Sequence, residues 1–176
     1  MRTARWARIG ACTALASAAA LAACAPAADY DGEVPTVPAA QTLAFGKTAE
    51  VVTQDVRFGV PVVWEVGVAK PKLLEATPTF PEALCYEVTM VPTMVGQHPV
   101  DVTVAMPRFT PVAGQQNANY LEDPTICGES NPPHGYTGEL EAGQEYTQWV
   151  ASWDGLYGIA ATGVKLTTGS QTVDWK

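Results

Sequence analysis

The run "VPVVWEVGVAK" (residues 60–70) places Val60, Val62, Trp64, Val66 and Val68 on one face at a period of two. That spacing builds a strand with one buried face and cannot build an apolar helix stripe, whose period is about 3.6. "ALCYEVTMV" (83–91) repeats the pattern, with Leu84, Tyr86, Val88 and Met90 facing one way. "PVDVTVAM" (99–106) turns Val100, Val102, Val104 and Met106 inward, with Asp101 and Thr103 outward. "TAEVVTQDVRF" (48–58) reads as the first strand; "EYTQWVASW", "GIAATGVKL" and "QTVDWK" supply later ones. About seven strands with Gly/Pro/Asn/Asp breaks between them, and no helical window, predict an all-β, antiparallel β-sandwich. The connection spanning 115–138 is dense in turn residues, and a loop of that length is usually functional or disordered.

The amino terminus has a different texture. Arg2, Arg5 and Arg8 precede an apolar, alanine-rich run from Ile9 to Ala23. A basic head, a short apolar stretch and small residues at its end describe a secretory signal peptide. The run is shorter than the roughly 20 apolar residues that cross a bilayer. Its last residues, Leu21-Ala22-Ala23-Cys24, resemble a bacterial lipobox. The resemblance implies that Cys24 receives a diacylglyceryl thioether and becomes the first residue of the mature chain. Two or three acyl chains give lasting attachment where one is marginal. Residues 1–23 are thus expected as signal peptide and 24–42 as a lipid-anchored, disordered tether, since "APAADYDGEVPTVPAAQ" lacks large apolar side chains. Residues 43–176 remain for one sandwich domain.

Removal of residues 1–23 takes three of the ten basic residues and none of the 18 acidic ones, so the net charge moves from −8 to −11. Such a surface repels nucleic acid and anionic headgroups. Cys12 leaves with the signal and Cys24 carries lipid, which leaves Cys85 and Cys127 to form a disulfide in an exported chain. A free thiol nucleophile would need a neighbouring base, and only His98 and His134 exist.

"FGKTAEVV" (45–52), "CYEVTMVPTMVG" (85–96) and "ELEAGQEYTQWVASWD" (139–154) together resemble an immunoglobulin-like domain found in many Gram-positive lipoproteins of unknown function. The first matches its Gly-Lys opening and the last its late turn into a strand ending in an aromatic. The central strand lacks the family's asparagine, and the 115–138 loop is longer. The resemblance implies an immunoglobulin-like sandwich and an extracytoplasmic module, and carries no activity with it.

The chemistry-bearing residues are few. No G-x-S-x-G is present, and no nucleophile, histidine and carboxylate converge in sequence, so no enzyme is expected. Glu139/Glu141 and Glu122/Asp123 read as solvated loop charges rather than a glycosidase pair. Glu122, Asp123 and Glu129 lack the spacing of a calcium loop. No cofactor is expected. Met90, Met94 and His98, with Met106 nearby, offer thioether and imidazole donors of the kind that hold Cu(I), giving a copper carrier as one alternative. Against it, Met90 and Met106 fall in phase with inward faces. Trp149 and Trp153 lie on the face opposite Tyr146 and Val150, so one set should be exposed, to contact a protein or, as a second alternative, to stack on sugar rings. The expected function is a non-enzymatic binding module on the outer face of the cell membrane, whose partner is another protein or an envelope component.

Overall fold

The computed structural model describes residues 34–54, 61–78, 82–95, 106–121, 124–131, 140–153, 159–169 and 171–176. Their strands are β1 (Ala40–Leu43), β2 (Thr48–Gln54), β3 (Pro61–Val68), β4 (Lys72–Leu74), β5 (Ala83–Val95), β6 (Phe109–Ala113), β7 (Gln116–Asn117), β8 (Tyr146–Trp153), β9 (Gly163–Thr168) and β10 (Gln171–Trp175). One sheet runs β1-β10-β9-β6-β7. In the other, β2 pairs β3, and β5 has β3 and then β4 along one side and β8 along the other. The two sheets pack as an immunoglobulin-like sandwich, with β10-β9-β6 in the G-F-C order of that fold.

The inward faces are those the period of two selects. Val62, Trp64, Val66 and Val68 of β3 and Tyr86, Val88 and Met90 of β5 meet Val164, Leu166, Val173 and Trp175 of the opposite sheet in one core. Trp64 and Trp175 are fully buried, and a large side chain so placed contributes about 1.5–3 kcal/mol. Their indoles are not orphaned. Trp64 Nε1 donates to Thr53 Oγ1 at 2.8 Å, and Trp175 Nε1 donates to the Lys47 carbonyl at 2.8 Å. Gly163 is required by a close approach: a Cβ there would stand 2.4 Å from the Trp175 carbonyl oxygen.

Pro92 stands inside the long strand β5, where its missing N–H would break a regular ladder. The β3–β5 register slips between Val63 and Trp64, which pair with Met94 and Pro92 and leave Thr93 as the extra residue. A bulge is where a strand tolerates proline, and Thr93 Oγ1 donates to the Val63 carbonyl at 3.4 Å.

Polar ties join the two sheets at both ends of the core. At one end Val52 N–H of β2 donates to Gln171 Oε1 of β10 at 2.7 Å. At the other, Tyr86 O–H donates to the Ala161 carbonyl at 3.2 Å and Ala161 N–H donates to Ser152 Oγ at 3.2 Å. Burial pushes the Tyr86 hydroxyl up to about 12, because a phenolate would lose its solvation there.

Three expectations change. β1 pairs with β10 in parallel, so the sandwich is not wholly antiparallel. β1 also starts inside the stretch expected as tether, with residues 40–42: Thr172 N–H donates to the Ala39 carbonyl at 2.8 Å, so the folded unit begins before residue 43. Among the described residues ten strands stand where about seven were expected in the chain, because β1, β4 and β7 are too short to show a period, and β6 begins as "FTPVA" around a proline. Of the run 99–106, residues 99–105 lie outside the described residues, and Met106 packs against the core.

Candidate interaction surface

The outer face of β5 and β8 carries Cys85, Trp149 and Trp153, and Cys127 is bonded to it. Odd-numbered positions point outward there: Cys85 pairs with Ala151, Glu87 with Trp149, and Ala83 with Trp153. An open outer face would leave these residues in solvent, yet Cys85 and Ala151 are buried. The cover among the described residues is Leu121 with the segment 124–131. Leu121 N–H donates to the Ala151 carbonyl at 2.9 Å, a single 3-10 turn follows at Pro124–Ile126, and Cys127 bonds to Cys85. The disulfide thus joins the long loop to β5, as the cysteine count predicted, and sits outside the sandwich rather than between its sheets. Gly128 then lies against Trp149 so closely that a Cβ would stand 2.4 Å from the indole Nε1.

Trp149 is half-buried beneath this cover. The Lys72 ammonium stands 5.6 Å from its ring centroid and 3.5 Å from Glu87 Oε2. The Lys72 side chain is 70% exposed, so the pair adds little to stability. The expectation that one of the two aromatic sets is exposed fails. Tyr146 and Val150 are core residues, and Tyr146 meets Trp64 edge-on at 6.4 Å. Trp149 and Trp153 are only half-exposed. For Trp149 the reason is the loop that carries Gly128 and Ser130, whose path over β8 no pattern within the strand encodes.

Of the three copper donors named from the sequence, only the side chain of Met90 lies among the described residues. Met90 is fully buried in the core and closed to solvent. The side chain of Met94, and His98 altogether, lie outside the described residues, as do Cys24 and His134.

A different surface stands out at one end of the sandwich. The chain enters at the Gln171 end, where Gln171 Nε2 donates to the Pro38 carbonyl at 3.5 Å. β1 then runs alongside β10 to the opposite, far end, where Leu43 pairs with Trp175. Four large apolar side chains are exposed among the described residues: Val34, Leu73, Tyr120 and Ile159. Val34 belongs to the entering segment; the other three belong to the far end. Leu73 pairs with Leu84, which pairs with Ser152, and Ser152 holds Ala161. Ile159 lies two residues before Ala161, and its carbonyl accepts from Asn119 N–H at 3.1 Å, next to Tyr120.

Lysines rim the same end. Lys47 lies in the β1–β2 turn, whose Gly46 N–H donates to the Val68 carbonyl at 2.7 Å, close to Lys70. Lys176 N–H donates to the Leu43 carbonyl at 3.0 Å, and Lys72 begins β4. Four of the seven basic residues that follow Cys24 therefore sit at one end of a strongly acidic chain. Sequence reading missed this surface because Leu73, Tyr120 and Ile159 stand in turn-rich segments without periodicity. The signal available was the apolar pair in "KPKLLEAT" (70–77), flanked by lysines and lacking a strand partner in sequence.

No family model matches the sequence, and no curated protein matches it. Among solved structures, MPT63, a secreted protein from Mycobacterium tuberculosis, is similar at 20% identity and a TM-score of 0.45, over 77% of this chain and 95% of that one.

Proposed function

We propose that this chain is a lipid-anchored, extracytoplasmic interaction module without enzymatic activity, attached through Cys24 to the outer face of the cell membrane. The observation that carries the reading is the distribution of exposed apolar side chains. Leu73, Tyr120 and Ile159 share the end opposite the one where the tether enters. A module held by its amino terminus would present that far end away from the membrane, toward another protein or an envelope component. Exposed apolar residues rimmed by charge are the composition of a contact surface. The Cys85–Cys127 disulfide suits an oxidising, exported setting.

Two measurements test the two halves of this reading. Cells fed labelled palmitate are expected to label the wild-type chain and not Cys24→Ala, which should be released from the membrane fraction. Label that persists in Cys24→Ala would remove the anchor. In cross-linked intact cells, Leu73→Asp combined with Ile159→Asp is expected to abolish specific adducts while leaving the circular dichroism of the purified chain unchanged. Adducts indifferent to that pair would remove the far end as the contact surface.

A further inference from the structure

Among the described residues, the outermost strands of the two sheets are not equally protected. An edge strand offers unpaired N–H and C=O groups to any other strand, and proteins blunt such edges by brevity, charge or a cover. β1 has four residues and β7 has two. β2 carries the exposed Glu50, and its Val52 N–H is occupied by Gln171. β8 is different: its eight residues, YTQWVASW, contain no charge and no proline and are rich in strand-forming side chains.

Among the described residues, what protects β8 is Leu121 together with the segment 124–131, which take up its edge hydrogen bonds one after another. Thr147 N–H donates to the Asn131 carbonyl at 2.8 Å, and Asn131 N–H donates back to the Thr147 carbonyl at 2.7 Å. Trp149 N–H donates to Ser130 Oγ at 3.3 Å, and the Ala151 carbonyl accepts from Leu121 N–H at 2.9 Å. Between these contacts the segment crosses the outer face of β8 to reach Cys85 on β5. It is a clasp around the edge strand, closed by one covalent bond.

We infer that the Cys85–Cys127 disulfide is the latch on a strand-pairing edge, and that opening it lets two copies of this chain pair through β8. The occupant is a second copy because the exposed strand is its own best template: long, uncharged and able to pair antiparallel with itself across a two-fold axis. The inference is independent of the far-end surface. Opening is a thiol–disulfide exchange. A dithiol reductant supplies two electrons and two protons, leaves as its own disulfide, and Cys85 and Cys127 become thiols.

The test is sedimentation of the exported full chain, purified in detergent, across a concentration series. The oxidised wild type is expected to be monomeric. Cys85→Ser combined with Cys127→Ser is expected to double in mass as concentration rises. Adding Thr147→Pro to that variant should return it to monomer, because the Thr147 N–H faces the edge and proline removes only that donor. A Cys85→Ser, Cys127→Ser chain that stays monomeric at every concentration, or a dimer unaffected by Thr147→Pro, overturns the inference. Should the double serine variant fail to fold, the wild type treated with dithiothreitol gives the same reading: a reduced, folded monomer overturns it and a dimer supports it.

Discussion

The two faces of β8 are both shielded from water, and for unrelated reasons. On the inner face, Tyr146, Gln148, Val150 and Ser152 are buried because a second sheet lies over them. On the outer face, Ala151 is buried and Trp149 half-buried because the segment 124–131 is held down through Cys127. Inner burial is cooperative, since each core side chain is packed by many others. Outer burial hangs on one bond and a few edge contacts. Shielding on both faces thus conceals unequal robustness, and perturbations should separate the faces.

The largest contrast lies between tryptophans. Trp64→Ala removes a fully buried ring and should cost about 3–5 kcal/mol. Trp149→Ala should cost about 1–2 kcal/mol, in proportion to its partial burial. Urea unfolding of both variants reads the difference, and equal losses would collapse the distinction between faces. Next comes the latch. Cys85 and Cys127 are 42 residues apart, and replacing both with serine should cost about 2–4 kcal/mol in the chain-entropy account. Amide exchange should then quicken at Thr147 and Trp149, while Val88 and Val66 remain protected. Exchange that quickens across the whole of β5 would mean the two faces melt together.

Smaller perturbations sharpen the picture. Gly128→Ala puts a methyl group where only 2.4 Å is available to the Trp149 indole, so loop or ring must move. A loss of about 1–3 kcal/mol is expected, with a red shift in Trp149 emission; an unchanged spectrum would place the loop elsewhere. On the inner face, Tyr86 provides a pH signature. Its folded pKa is raised from 10.0 to about 12 by burial, so the unfolded chain ionises first. Stability is therefore fully present below pH 10.0 and falls as pH rises toward about 12. The wild type should lose more stability across that window than Tyr86→Phe does. Smallest of all, Lys72→Ala should cost about 0.5–1 kcal/mol or less, because its cation–π and ion-pair contacts are solvent-exposed.

The same contrast separates what was legible in sequence from what was not. Inner faces follow from a period of two, so Val62, Trp64, Val66, Tyr86, Val88 and Met90 could be placed before any coordinates were known. The disulfide followed from counting. Strands of two to four residues could not be read, since β1, β4 and β7 are too brief to alternate. The parallel β1–β10 pair is a tertiary choice that local pattern does not encode. The outer face of β8 was misread for a related reason. Alternation says which side chains leave the core, and it cannot say whether a loop from elsewhere returns to cover them. The far end was missed because Leu73, Tyr120 and Ile159 come from three separate loops or short strands.

If the clasp closes the outer face of β8, partners should meet the chain at its far end. Photo-cross-linking in intact cells, with the reactive side chain placed at Tyr120 in one strain and at Trp149 in another, tests this directly. The account predicts discrete adducts from position 120 that vanish with Leu73→Asp and Ile159→Asp, and none from position 149 while the disulfide is intact. No adducts from position 120, or the same adducts from both positions, would contradict it.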